Sequence, residues 1–364
     1  MITKIQALRV ALNQQFLERS TLIDGMLTAL VSSDPLLMIG PPGTAKSAIC
    51  RAICQSVQGN YFSWCMSKLT TPEELFGPIS LKALEQDRYS RQTTGKLPSA
   101  DVAFLDEIFK ASSATNNTLL TITNEKEFFN DGKPNPVPLR VLYAASNEVP
   151  QGEELAAMYD RFVLKYYVDA VKEDSSVDKL FLGLGKVTMP NISLKEIDAL
   201  QAVAQNPTMD DVKPVLEPLK IIRRAIENEG ILVSDRKWVQ SVRILKAYSM
   251  LQGHDHIELD DLEILEHVLW SSIEQASKVR KIVSKVSNPL GEKILTVMDG
   301  VKEISECVNK GTIDPVEGFK KVKHAAAELK KLLGDGTNSK LKEAHETVKK
   351  IQQHIATTHL GLSD

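Results

Sequence analysis

The chain has no apolar run approaching the roughly 20 residues that a bilayer-crossing helix needs, so none of its 364 residues is expected to span a membrane. Its N-terminus is polar and does not read as a secretory signal. Cysteine is scarce: Cys50, Cys54, Cys65 and Cys307 include no Cys-x-x-Cys pair and no paired histidine motif accompanies them, which argues against zinc. Cys50 and Cys54 stand one helical turn apart and read as small core residues. His254-Asp255-His256 falls in a turn ahead of a helix and reads as solvated. Clustered positive charge is missing too. The formal net charge is −3 and 43% of residues are hydrophobic, the balance of an ordinary globular protein. Binding to nucleic acid by counterion release has no basic patch to work with. The length suffices for two or three domains with a substantial core, and the expected compartment is the reducing cytoplasm.

What is present begins at residue 40. Gly40-Pro41-Pro42-Gly43-Thr44-Ala45-Lys46-Ser47 follows the apolar run Leu36-Leu37-Met38-Ile39 and precedes a helical stretch that starts with Ala48. A buried strand, a glycine-bearing loop and a helix opening on Lys-Ser is the context that a phosphate-binding loop requires. Gly40 and Gly43 permit backbone angles closed to other residues, so that successive N–H groups can turn inward around an anion. The helix N-terminus adds partial positive charge at the same point. A nucleoside triphosphate, ATP, is therefore expected along residues 40–48, with Lys46 reaching the outer phosphates and the Ser47 hydroxyl ligating Mg²⁺. The usual pattern has glycine before the lysine. Here that place is taken by Ala45, which is expected to adopt right-handed angles at the helix start and to tighten the loop slightly.

Further strand candidates recur at 61–66, 102–105, 139–146 and 163–168, alternating with helical patterns, which predicts a parallel sheet covered on both faces. Val102-Ala103-Phe104-Leu105 runs into Asp106-Glu107, about 60 residues beyond the loop, and this places two carboxylates at the C-terminal strand edge where open α/β sheets bind ligands. Asp106 is assigned to Mg²⁺, and Glu107 to orienting and deprotonating the attacking water. Asn147, ending the stretch Tyr143-Ala144-Ala145-Ser146-Asn147, can offer an amide to that water or to the γ-phosphate. Arg161, within Tyr159-Asp160-Arg161-Phe162, can reach a neighbour's γ-phosphate if the subunits form a ring.

Together these residues resemble the AAA+ ATPases, and among them the MoxR family. Residues 69–78 look like the family's segment entering the insert in helix 2, and residues 125–138 look like the hairpin inserted before the sensor-1 strand. Asp160-Arg161-Phe162 resembles the arginine-finger position. The alanine before Lys46 is shared with the regulatory ATPase variant A (RavA) branch. The resemblance runs from about residue 12 to about residue 273. It implies sensor-1 at Asn147, sensor-2 at Arg236, and Leu17 as an apolar wall beside the adenine. It also implies a hexameric ring and a partner with a von Willebrand factor A domain. Arg236 stands in a helix first turn after the N-cap Ser234, against the dipole preference, a placement tolerated when a phosphate pairs with it.

The fold expected is thus an α/β AAA+ core over 1–186, an all-α lid over 187–273 and an all-α C-terminal bundle over 274–364. The lid opens on the capping box Ser193–Glu196, and Trp238 and Trp270 are expected to fill its core. The tail holds a single aromatic residue, Phe319, and three heptad-like segments carrying Val297, Val301 and Val308, then Phe319, Val322 and Leu329, then Ala344, Val348 and Ile355. Unlike RavA, it shows no strand-rich segment after residue 275. The leading function is a Mg²⁺-dependent, chaperone-like ATPase ring that converts ATP to ADP and phosphate to remodel or activate a client protein. The alternatives are a nucleic-acid translocase, disfavoured by the missing basic patch, and a nucleotide-gated scaffold, which needs no general base such as Glu107.

Overall fold

Seven strands form among the described residues: β1 (Leu36–Ile39), β2 (Tyr61–Cys65), β3 (Val102–Asp106), β4 (Glu127–Asn130), β5 (Lys133–Pro136), β6 (Val141–Ser146) and β7 (Leu164–Tyr167). Five make one sheet in the order β2-β3-β6-β1-β7, with every pairing parallel. β1 and β6 are buried at every position, as strands covered on both faces must be, whereas the edge strand β2 alternates. The computed structural model describes residues 1–148, 158–183, 187–309, 312–333 and 339–360. Among them no helix is long and apolar enough to cross a membrane.

The topology places β6 between β1 and β3, in register: Ile39 lies opposite Ser146, and Leu105 opposite Ala144. The loop after β1, the acids after β3 and the amide after β6 therefore emerge side by side at one sheet edge. Helix α1 (Ile2–Gln15) packs on α2 (Ser20–Ser32) and α3 (Lys46–Val57), and these two pack on the strands. α2 is buried from Leu22 to Ser32, because it lies between the sheet and a helix of the all-α part described below.

Both expected inserts are present. α4 (Pro72–Phe76) is held by a capping box between Thr71 and Glu74, and is followed by α5 (Leu81–Leu84). β4 and β5 form the antiparallel hairpin, turning at Asp131 and Gly132 with φ of 55° and 71°, the doubly left-handed turn that suits twisted strands. The two inserts are joined. The Asn130 side chain accepts from Arg91 N at 2.7 Å and donates to Arg91 O at 3.1 Å, and the Phe76 and Phe128 rings stack at 5.6 Å.

After α6 (Ser113–Glu125) and the sheet come α7 (Asp174–Leu182), α8 (Leu194–Gln205), α9 (Met209–Val212), α10 (Leu216–Asn228), α11 (Asp235–Gln252) and α12 (Ile273–Ser287). The Ser193–Glu196 capping box forms as the spacing demands. Residues 260–267 wind as a 3₁₀ helix. Trp270 is buried at 2% exposure, but Trp238 is only half-buried, since its neighbour Lys237 takes the inward place on α11. His254 is not simply solvated: its Nδ1 lies 3.0 Å from both carboxylate oxygens of the buried Asp261.

One compact unit runs from Met1 to Val283 and a second from Ser284 to Asp364. The first therefore holds the sheet together with the helices expected as a lid, and it continues into α12, where Val279 and Val283 are fully buried. The second contains α13 (Pro289–Asn309), α14 (Pro315–Leu333) and α15 (Ser339–Leu360) around Val301, Val308, Val322, Leu329, Val348 and Ile355. These are the heptad positions of the sequence. The connections at 310–311 and 334–338 and the boundary near 186 lie outside the described residues.

Candidate functional site

The backbone of the 40–47 loop is anchored before any side chain acts. Gly40 N donates to Ser146 O at 3.0 Å, and Val168 N donates to Ile39 O at 2.8 Å, so the loop leaves a strand gripped on both sides. A Cβ on Gly40 would lie 2.1 Å from the Val168 carbonyl oxygen. Only glycine permits that approach.

Ala45 corrects the sequence reading. Its φ of 67° and ψ of 12° are left-handed, and it forms the N-cap of α3 instead of the first right-handed residue. The loop must curl before the helix starts, and this is the position at which it does so. An L-residue there costs about 1–2 kcal/mol, which explains why glycine is the usual occupant. We expect Ala45→Gly to relieve that strain against an entropy cost of about 0.4–1 kcal/mol. Thermal unfolding should show a net gain of about 0.5–1 kcal/mol; a loss of stability would show that the left-handed cap is unstrained.

Lys46 is folded back over the loop. Its ammonium donates to Gly40 O at 2.7 Å and Pro41 O at 2.8 Å, and the Thr44 hydroxyl lies at 3.3 Å. Burial pushes its pKa down, while the charges of Asp106 and Glu107 act in the opposite sense. Ser47 and Ala48 are exposed beside it.

One cavity of about 360 Å³ is lined by Pro42 to Ser47, Cys65, Asp106, Glu107 and Asn147. The side-by-side strand ends thus converge as the topology requires. Glu107 is itself left-handed, with φ of 52°, and this turns its carboxylate back towards the cavity. Asn147 Nδ2 donates to Glu107 Oε1, and Lys110 Nζ lies 3.3 Å from Glu107 Oε2. The Ser47 hydroxyl and the Asp106 carboxylate are hard oxygen donors of the kind Mg²⁺ prefers. Among the described residues no cluster of three or more His, Cys, Asp or Glu could hold a metal alone, so phosphate oxygens would have to complete its shell.

A second cavity, of about 370 Å³, adjoins α3 and is lined by Gln15, Phe16, Ser47, Ala48 and Arg51. The residue of the 16–19 segment that faces it is Phe16; Leu17 is half-buried and does not line it. Arg19 was not singled out by the sequence, yet it ties the segment to the loop: Nε donates to Thr44 O at 3.3 Å and an Nη donates to Asp169 O at 2.7 Å. Lys110 was missed as well. Its signal was the three-residue spacing from Glu107.

Arg161 and Arg236 are not in this cavity. Arg161 ends a helical turn, 158–161, that precedes β7. Arg236 is exposed in the first turn of α11, and farther along that helix Arg243 lies 3.7 Å from Asp34, ahead of β1 and at the sheet edge opposite the loop. The reason is packing. α11 lies along α2, with its far end, Gln252, accepting from Arg9 at 3.2 Å, and Arg9 in turn grips Asp24 of α2. Arg236 thus stands at the N-terminal end of a helix packed along α2 and does not line the cavity of the loop.

A family model described as the MoxR domain in the MoxR-vWA-beta-propeller ternary systems matches residues 3–205, and one described as an AAA lid domain matches residues 214–283. An uncharacterized protein of Methanocaldococcus jannaschii is 35% identical over 354 residues, covering 93% of this chain and 92% of its own. Another from the same organism is 36% identical over 312 residues, covering 83% of each. The crystal structure of a candidate ATPase from Cytophaga hutchinsonii is similar in fold, with a TM-score of 0.61 at 15% identity, covering 78% of this chain and 93% of that one.

Proposed function

The chain belongs to the MoxR family of AAA+ ATPases, and from that premise we propose that it hydrolyses ATP to ADP and phosphate in a homo-hexameric ring and spends the resulting motion on remodelling or activating a partner protein. The observation that carries the reading is the single cavity shared by Lys46, Ser47, Asp106, Glu107 and Asn147. A scaffold that only binds nucleotide has no use for a carboxylate held at that point by an amide.

Lys46 would leave the loop carbonyls and neutralise the outer phosphates. Ser47 and Asp106 would hold Mg²⁺, which neutralises phosphate charge when bound. Glu107 would orient the attacking water and accept its proton, and Asn147 would hold Glu107 in line. Arg161 and Arg236 would act on the nucleotide of the next subunit, a role supported by their absence from the lining of the cavity in their own chain. Phe16, and Leu17 behind it, would flank the base. The description of the matching family supports a von Willebrand factor A domain partner. The free thiols of all four cysteines support a reducing cytoplasm, and Ala45 supports a place near the RavA branch.

The test is phosphate release by the purified chain. Turnover should require Mg²⁺, stop on chelation and be absent from Lys46→Ala. Equal phosphate release by wild type and Lys46→Ala would overturn the assignment.

A further inference from the structure

The two arginines outside the cavity are tied to each other through their sequence neighbours. Lys237, immediately after Arg236, donates from Nζ to Asp160 Oδ1 at 2.6 Å, and Asp160 immediately precedes Arg161. The Lys237 side chain is 4% exposed and that of Asp160 53%. The hydroxyl of Ser271 reaches the same Asp160 oxygen at 3.3 Å.

A second lysine lies behind this pair. Lys165, in the middle of β7, is fully buried, donates to Trp270 O at 3.0 Å, and stands 5.1 Å and 5.2 Å from the ring centroids of Tyr159 and Trp270. Burial pushes its pKa far down, and the nearby Lys237 charge pushes the same way, with Asp160 opposing. The Tyr159 ring also touches Phe109, two residues beyond Glu107, at 6.1 Å, and Trp270 at 6.4 Å. A buried lysine beside a second buried lysine is a poor source of stability, because the desolvation of such charges offsets their attraction to one carboxylate. Fixed geometry is the better account of the arrangement.

We propose that the Asp160–Lys237 ion pair is a positioning latch that holds Arg161 and Arg236 as one two-arginine element, so that movement of α11 carries both together towards the neighbouring subunit's nucleotide. Lys237 and Asp160 touch no substrate; they act through the arginines. The inference rests on the reading of Arg161 and Arg236 as acting in trans.

Lys237→Met is the variant of choice, because the half-exposed Asp160 it leaves can be hydrated, whereas loss of Asp160 would strand two lysines. It should bind a fluorescent ATP analogue within about twofold of wild type and show an unchanged KM, with kcat lowered about 10–100-fold, the loss that misplacing a catalytic group by about 1 Å produces. Lys237→Arg should retain most activity. Mixing Lys237→Met with Lys46→Ala subunits should restore turnover, since the Lys46→Ala chains supply correctly held arginines to intact nucleotide sites. Wild-type turnover by Lys237→Met, beside a crippled Arg161→Ala, would overturn the latch. So would a slow Lys237→Met that Lys46→Ala fails to restore while Arg161→Ala is restored, because the defect would then lie in its own site. Normal turnover by Arg161→Ala would instead overturn the reading on which the latch depends.

Discussion

Glu107→Gln should keep ATP binding and lose phosphate release by about 10²–10⁴-fold, the range that general-base catalysis contributes. The substitution keeps the shape of the side chain and its contact with Asn147, because the amide oxygen can still accept from Nδ2. What it removes is the proton acceptor, together with the charge 3.3 Å from Lys110. Lys110 is half-exposed, so its loss of a partner is absorbed by water and stability should hardly change. The expected signature is therefore an ATP-loaded protein with a normal melting curve and almost no turnover, measured by phosphate release and by nucleotide extracted after gel filtration. Such a trap would also be the best bait for a von Willebrand factor A domain partner. Equal turnover by wild type and variant would refute the role given to Glu107.

How far the sequence could be read varies with the physics of each element. The loop and the five sheet strands were legible because each is a local pattern of apolar runs bounded by turn residues, whereas the hairpin at 125–138 came from the family resemblance. The convergence of Asp106, Glu107 and Asn147 on the loop followed from strand ends sharing one edge. Ala45 was misread because alanine's own preference is right-handed, and only the path of the loop into α3 overrides it. Arg236 was placed with the nucleotide by resemblance. Where its helix α11 is set down, along α2, could not be read from periodicity, which reports the buried face but not the packing partner. The Asp160–Lys237 contact, 77 positions apart in the chain, leaves no periodic trace at all.

Arg161→Ala should bind ATP normally and hydrolyse it about 10³–10⁵-fold more slowly, the contribution of an arginine supplied to a transferring phosphoryl group. The reasoning is geometric. Among the described residues Lys46 is the one cation lining the cavity with Asp106 and Glu107; it serves the ground-state phosphates, and charge spreading onto the γ-phosphoryl oxygens needs another. Neither Arg161 nor Arg236 lines that cavity, and in the proposed ring the next subunit supplies the missing charge. Complementation follows from this division. Arg161→Ala carries sound nucleotide sites without donors, and Lys46→Ala carries sound donors without sites. Each alone should be nearly inactive, and a mixture allowed to exchange subunits should recover part of the wild-type rate, with the largest recovery near equal proportions. An arginine acting within its own subunit gives no recovery at any ratio, because no chain in the mixture would then hold both a site and a donor.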